Sequence, residues 1–128
     1  MGRYSMRILC IGDVCGSIGC EYLKRVLPKL KRDENIDCCI VNGENSADSN
    51  GITPTSLDSL YAAGADVITG GNHSLRRREA FDAFESDPFL LRPHNMITFI
   101  SETNLSFSSS LNHTINVSTN STPCFCVI

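Results

Sequence analysis

No run of about eighteen apolar residues occurs in the sequence, which excludes a membrane-spanning helix. Basic charge is also scarce. Lys and Arg number 11 against 14 Asp and Glu, so the formal net charge is −3 and bulk attraction of nucleic acid is excluded. Arg76, Arg77 and Arg78 form the only dense positive cluster, where a solvated helix face competes with a phosphate clamp. Met1 to Ser5 lack the apolar h-region of a leader, which makes the cytoplasm the expected location. No C-x-x-C pair is present either. The 7 cysteines are odd in number, and neither Cys38-Cys39 nor Cys124-Phe125-Cys126 has the spacing of structural zinc ligands. Cys10, Cys38 and Cys39 lie inside apolar runs, so reduced thiols are expected rather than a disulfide scaffold.

Charge itself disappears along the chain. Every Lys and Arg lies at or before Arg92, and Glu102 is the only charged residue after Asn95. From Met96 onward Ser, Thr and Asn dominate without a sustained apolar period, and such a segment pairs as weak strands or stays disordered. The expected organisation is an α/β domain over residues 6–95 and a polar tail over 96–128, unrelated to the domain or out of frame.

Within 6–95 the pattern alternates. Met6 to Ile11 is a short apolar run closed by Gly12-Asp13, as a buried parallel strand would be. Leu23, Val26, Leu27 and Leu30 recur at helical spacing, with Lys24, Lys31 and Arg32 on the other side, and Pro28 predicts a kink or an early end. Cys38 to Val41 reads as a second strand. Thr53-Pro54 supplies an N-cap followed by proline at N1, and Gly64 stands where a helix closes. Asp66 to Thr69 is a third strand. A third helix would bury Ala80, Phe81 and Phe84 before a fourth strand at Phe89 to Leu91. The fold class is therefore α/β, a mainly parallel sheet flanked by helices, with an irregular Ser/Thr/Asn-rich C-terminal tail.

Chemistry concentrates at three equivalent places. Gly12-Asp13, Gly43-Glu44-Asn45 and Gly71-Asn72-His73 each follow a predicted strand directly. The carboxyl ends of parallel strands line one edge of the sheet, so these clusters should converge. Asp and Glu bring hard anionic oxygens, Asn adds neutral ones and His an imidazole, a set suited to divalent metals. Singly, Asp13 could be a helix N-cap, Glu44-Asn45 a solvated turn and Asn72-His73 another cap. Their recurrence at the same end of successive strands favours one site.

The motifs carry a resemblance over about residues 6–95. Gly12-Asp13-Val14-Cys15-Gly16, Asn42-Gly43-Glu44-Asn45 and Gly70-Gly71-Asn72-His73 resemble the GD-x-x-G, NGEN and GNH motifs of calcineurin-like metallophosphoesterases. More narrowly they resemble the bacterial YmdB-like branch, 2′,3′-cyclic nucleotide phosphodiesterases with a dinuclear metal centre. Leu27-Pro28-Lys29-Leu30, Gly64-Ala65-Asp66 and Arg92-Pro93-His94-Asn95 are similar to that branch too. The resemblance implies half of a metallophosphoesterase α/β sandwich and two divalent cations, iron or manganese. It implies that Asp13 binds one metal, Glu44 bridges both, and Asn45 and Asn72 bind the second. His73 corresponds to the histidine acting beside the metals as general acid or transition-state stabiliser.

Two departures stand out. The family completes its metal cage with histidines from the second half of a longer chain, including an H-x-H pair that this sequence lacks. Ser74-Leu75-Arg76 also replaces the aromatic and acidic residues that usually follow GNH. The expectation is thus a truncated, impaired hydrolase acting on phosphodiesters or cyclic nucleotides. The alternative is a noncatalytic half-domain serving as a binding or assembly module. Half of a two-sided fold leaves apolar sheet surface uncovered, so a homo-oligomer is a further expectation. A dinucleotide-binding fold is disfavoured, because Gly12, Gly16 and Gly19 do not have the G-x-G-x-x-G spacing.

Overall fold

Apolar runs and amphipathic segments alternate along the first ninety or so residues, and strands and helices alternate with them. The computed structural model describes residues 5–93 and, beyond them, three two-residue strands. In chain order the elements are β1 (Ile8–Ile11), α1 (Gly16–Asp33), β2 (Cys38–Asn42), α2 (Pro54–Ala63) and β3 (Val67–Thr69). The 3-10 turns Ser74–Arg76 and Arg78–Ala80 follow, then α3 (Phe81–Ser86), β4 (Leu90–Leu91), β5 (Phe107–Ser108), β6 (Thr114–Ile115) and β7 (Cys126–Val127). Strands β4, β3, β2 and β1 lie side by side in that order, all parallel, and β7 adds antiparallel to the outer edge of β1. Strands β5 and β6 form a separate antiparallel pair. The expected tail lies outside the described residues apart from these short strands, as do His94 and Asn95.

Register decides which side chains share a face. Leu9 stands opposite Cys39, Val41 opposite Ile68 and Ile68 opposite Leu90. All are buried, and they form one cluster with Leu23 and Leu27 of α1 and Leu57 and Leu60 of α2. Helices α1 and α2 pack against each other over this face. On the opposite face Ile8, Cys10 and Ile40 are half-buried. No helix among the described residues is long and apolar enough to cross a membrane.

Helix α1 does not stop at Pro28. It continues to Asp33 because Leu27 is fully buried, and because Lys24, whose carbonyl loses a partner, is exposed to water. Helix α2 begins as its sequence predicts. The Thr53 hydroxyl accepts from Ser56 N at 3.2 Å, the Ser56 hydroxyl accepts from Thr53 N at 3.0 Å, and Pro54 occupies the first turn. Gly64 ends the helix at φ 109°, where a side chain would be strained. The third helix starts after Ala80, which the sequence places on it. Arg77 is extended at φ −113° and ψ 122° between the two 3-10 turns, leaving α3 to begin at Phe81, with Ala80 and Phe84 buried but Phe81 only partly so.

Candidate active site

The turns after β1, β2 and β3 meet at the carboxyl edge of the sheet. Backbone bonds stitch them together: Val14 N donates to Asn42 O at 3.0 Å, Gly16 N to Asn45 O at 2.8 Å and Gly43 N to Thr69 O at 2.9 Å. Asn42 extends the stitching with its side chain, whose Nδ2 donates to Gly70 O while Oδ1 accepts from Glu44 N, each at 3.3 Å.

On this frame four of the five expected site residues are linked. Asn45 Nδ2 donates to Asp13 Oδ1 at 2.6 Å, and Asn45 Oδ1 lies 2.7 Å from His73 Nδ1. A carboxylate only accepts, so Asn45 must turn its NH2 to Asp13 and its oxygen to His73. His73 therefore donates through Nδ1, and Nε2 is the ring nitrogen that Asn45 does not engage. Glu44, buried at 9% exposure, accepts from His73 N through Oε2 at 3.0 Å. Asn72 is different. It is exposed in the turn and makes no hydrogen bond to the other four.

The capping explanations do not hold for these side chains. The residue before α1 is Cys15, and Asp13 does not cap that helix. Ser17 N is instead capped from across the sheet edge by Asp48 Oδ1 at 2.9 Å. Those hydrogen bonds from Ser17, with the Arg77 charge nearby, hold the Asp48 carboxyl below its ordinary value. His73 precedes a 3-10 turn without capping it by its side chain. Cys15 lies at the start of α1, yet its thiol is pushed up by desolvation and by Asp13, so it is no reactive thiolate.

Two backbone features make room for the cluster. Asp13 sits at φ 44°, a left-handed conformation that Asp tolerates better than most residues. A Cβ on Gly71 would lie 2.2 Å from Glu44 Oε2, so only glycine lets the buried carboxylate pass under the GNH turn. Sequence reasoning missed Asp48, weighed Arg77 only as a solvated face or a phosphate clamp, and noted Ser74 only as a departure from the family pattern. Ser74 is fully buried, and its hydroxyl accepts from Gly71 N and donates to Gly71 O, both at 2.7 Å, tightening the turn that carries His73. Its signal was a small hydroxyl residue three positions after a glycine, a common turn pattern.

The donors at this edge are carboxylate and amide oxygens with one imidazole, which is the chemistry of a hard divalent cation's shell. The donor set of Asp13, Glu44, Asn45, Asn72 and His73 fits such a cation by its chemistry, with Gly71 giving the Glu44 carboxylate its room. Among the described residues, however, no three His, Cys, Asp or Glu side chains gather to hold a metal ion.

The parallel α/β sheet, with acid, amide and imidazole groups on its carboxyl edge, matches the fold of solved phosphatase structures. Residues 9–120 match the family of YmdB-like proteins, and the chain belongs to that family. The match crosses the compositional break near residue 95. The 2′,3′-cyclic-nucleotide 2′-phosphodiesterase of Bacillus subtilis (strain 168) is 47% identical over 90 residues, 70% of this chain and 34% of that protein. The crystal structure of a novel phosphatase from Mycoplasma pneumoniae superposes with a TM-score of 0.70 at 31% identity, over 80% of this chain and 36% of that one. A hypothetical protein from Thermus thermophilus superposes at 0.63 with 34% identity, over 69% of this chain and 34% of that one. The chain thus spans about a third of the length of these relatives.

Proposed function

We propose that this chain provides the amino-terminal metal-binding edge of a phosphodiesterase that hydrolyses 2′,3′-cyclic nucleotides or related phosphodiesters. The observation that carries the reading is the linked set Asp13–Asn45–His73, with Glu44 bonded beneath it, at the carboxyl edge of a YmdB-like sheet. Asp13, Glu44, Asn45 and Asn72 are the residues that would hold the metal ions, with Glu44 between two of them. Bound cations, iron or manganese, would supply Lewis-acid polarisation of the phosphoryl oxygens and an activated water.

The chain's own residues do the rest. Asn45 holds His73 through Nδ1, so Nε2 is the ring nitrogen left to act on substrate, and it would give a proton to the leaving alkoxide only from the doubly protonated ring. Glu44 holds the His73 backbone and thereby the start of the GNH turn. The resemblance implies that further metal ligands come from a longer chain, and weak turnover by these 128 residues alone is the expected outcome.

In a second reading the chain is a noncatalytic binding or assembly module, which suits the way Asp13, Asn45 and His73 spend their polar atoms on one another. Manganese or iron titration by calorimetry, followed by hydrolysis of a 2′,3′-cyclic nucleotide, separates the two. It is done for this chain and for one extended to the relatives' length. Metal binding that Glu44→Gln weakens, with turnover in the extended chain, supports the phosphodiesterase. Unchanged affinity in Glu44→Gln removes the bridging role, and no turnover in either chain favours the binding module.

A further inference from the structure

Arg77 stands in the middle of the three arginines for which a solvated face and a phosphate clamp compete, and the structure gives it neither role. It is half-buried, whereas Arg76 and Arg78 are exposed. Its Nη2 donates to Asp48 O and its Nε to Asn50 O at 3.1 Å. These carbonyls belong to a loop in an unfavourable conformation: Ser49, Asn50 and Gly51 have φ of 64°, 76° and 87° in succession. A Cβ on Gly51 would lie 2.7 Å from Arg77 Cγ, so the loop also packs directly on the arginine stem.

The other side of the loop reaches the site. Asp48 caps Ser17 N at 2.9 Å, and just before it Asn45 O accepts from Gly16 N at 2.8 Å. Asp13 lies between that first turn of α1 and β1, and its Oδ1 is held by Asn45. A continuous path therefore runs from Arg77 through the 48–51 loop to the two residues that aim His73. It also accounts for the break before α3, since the extended backbone at Arg77 is what separates the two 3-10 turns.

We propose that Arg77 is a positioning residue of the candidate site, pinning the 48–51 loop so that Asp13 and Asn45 keep their places. This rests on the reading of Asp13 and Asn45 as site residues, although its structural arm does not need turnover. Two carbonyls two residues apart match a planar guanidinium fork, which a lysine ammonium cannot reproduce.

The test uses the full chain with Arg77→Ala, Arg77→Lys and, as control, Arg78→Ala. Nuclear magnetic resonance reads amide exchange at Gly16, Ser17, Leu23 and Leu27, together with the Asn45 side-chain amide resonance. In Arg77→Ala exchange should rise about tenfold at Gly16 and Ser17, with Leu23 and Leu27 unchanged. The Asn45 amide signal should shift. Arg77→Lys should fall between Arg77→Ala and the parent, and Arg78→Ala should match the parent. In the extended chain, Arg77→Ala should lower kcat with KM little changed. Unchanged exchange at Gly16 and Ser17, a uniform rise across the chain, or an unmoved Asn45 signal would each overturn the proposal. If the parent neither binds metal nor turns over, the phosphodiesterase reading fails while the exchange and Asn45 signals still decide the role of Arg77.

Discussion

The helix-covered face of the sheet and its carboxyl edge are neighbours built by different forces. On the face, Leu27, Leu60, Ile68 and Val41 are fully buried, and what holds them is the removal of apolar surface from water. At the edge, Asp13, Asn45, Glu44 and His73 are joined by hydrogen bonds between groups far apart in sequence. Burial is non-directional and tolerates small shifts. Hydrogen bonds lose their value within a fraction of an ångström, so the edge depends on the face to hold the three turns in register. Damage to the face should therefore spread to the edge, whereas damage to the edge should stay local.

The largest separation of the two regions should come from His73→Ala. In the extended chain, loss of proton transfer should lower kcat about 10²–10⁴-fold, while the urea midpoint of this chain barely moves. A midpoint shift as large as that of a core variant would erase the contrast. Leu60→Ala probes the face: truncation of a fully buried leucine should cost about 2–5 kcal/mol, read by urea unfolding. Glu44→Gln should do the reverse, weakening manganese binding with a smaller stability loss.

Thiol titration sharpens the comparison by pH. Burial pushes the Cys39 thiol up to about 12, and Cys20 and Cys38 are also raised, chiefly by desolvation. The unfolded chain ionises first, near the ordinary value of 9.0. Stability should therefore be level with respect to these groups below pH 9 and fall between pH 9 and 12, as the unfolded thiolates form and the folded ones cannot. Urea midpoints from pH 7 upward check this, and Cys39→Ala should flatten part of the slope. A slope unchanged by that variant would assign the loss to other groups.

The smallest effects belong to single local groups. Thr53→Ala removes the α2 cap and should cost about 1 kcal/mol without touching metal binding. Asn72→Ala deletes one exposed neutral donor, so its effect on manganese affinity should be well below that of Glu44→Gln. An Asn72→Ala loss equal to Glu44→Gln would make the exposed turn as important as the buried carboxylate.

Most of the fold was readable because it is written in short periods. The apolar runs at β1 to β4, the i, i+3, i+4 spacing of Leu23, Val26 and Leu27, and the Thr53 to Gly64 caps are all local patterns. Pro28 misled in one direction, since a local rule for ending helices was outweighed by the burial of Leu27. At the site, convergence of the three turns followed from strand direction alone. The roles of Asp48 and Arg77 did not, because a carboxylate and a guanidinium in polar segments have no periodic signature.

The sequence by itself determined the alternation of strand and helix, the mainly parallel direction of the strands and the residue types that arrive at the carboxyl edge of the sheet. These follow from side-chain periodicity and chain direction, which are local. Only the tertiary structure decided that Asn45 faces both Asp13 and His73, that Glu44 lies against Gly71, and that Arg77 reaches the loop capping α1. Such pairings join residues roughly a whole βα unit apart, and sheet register and twist, not spacing along the chain, bring their atoms within hydrogen-bond reach.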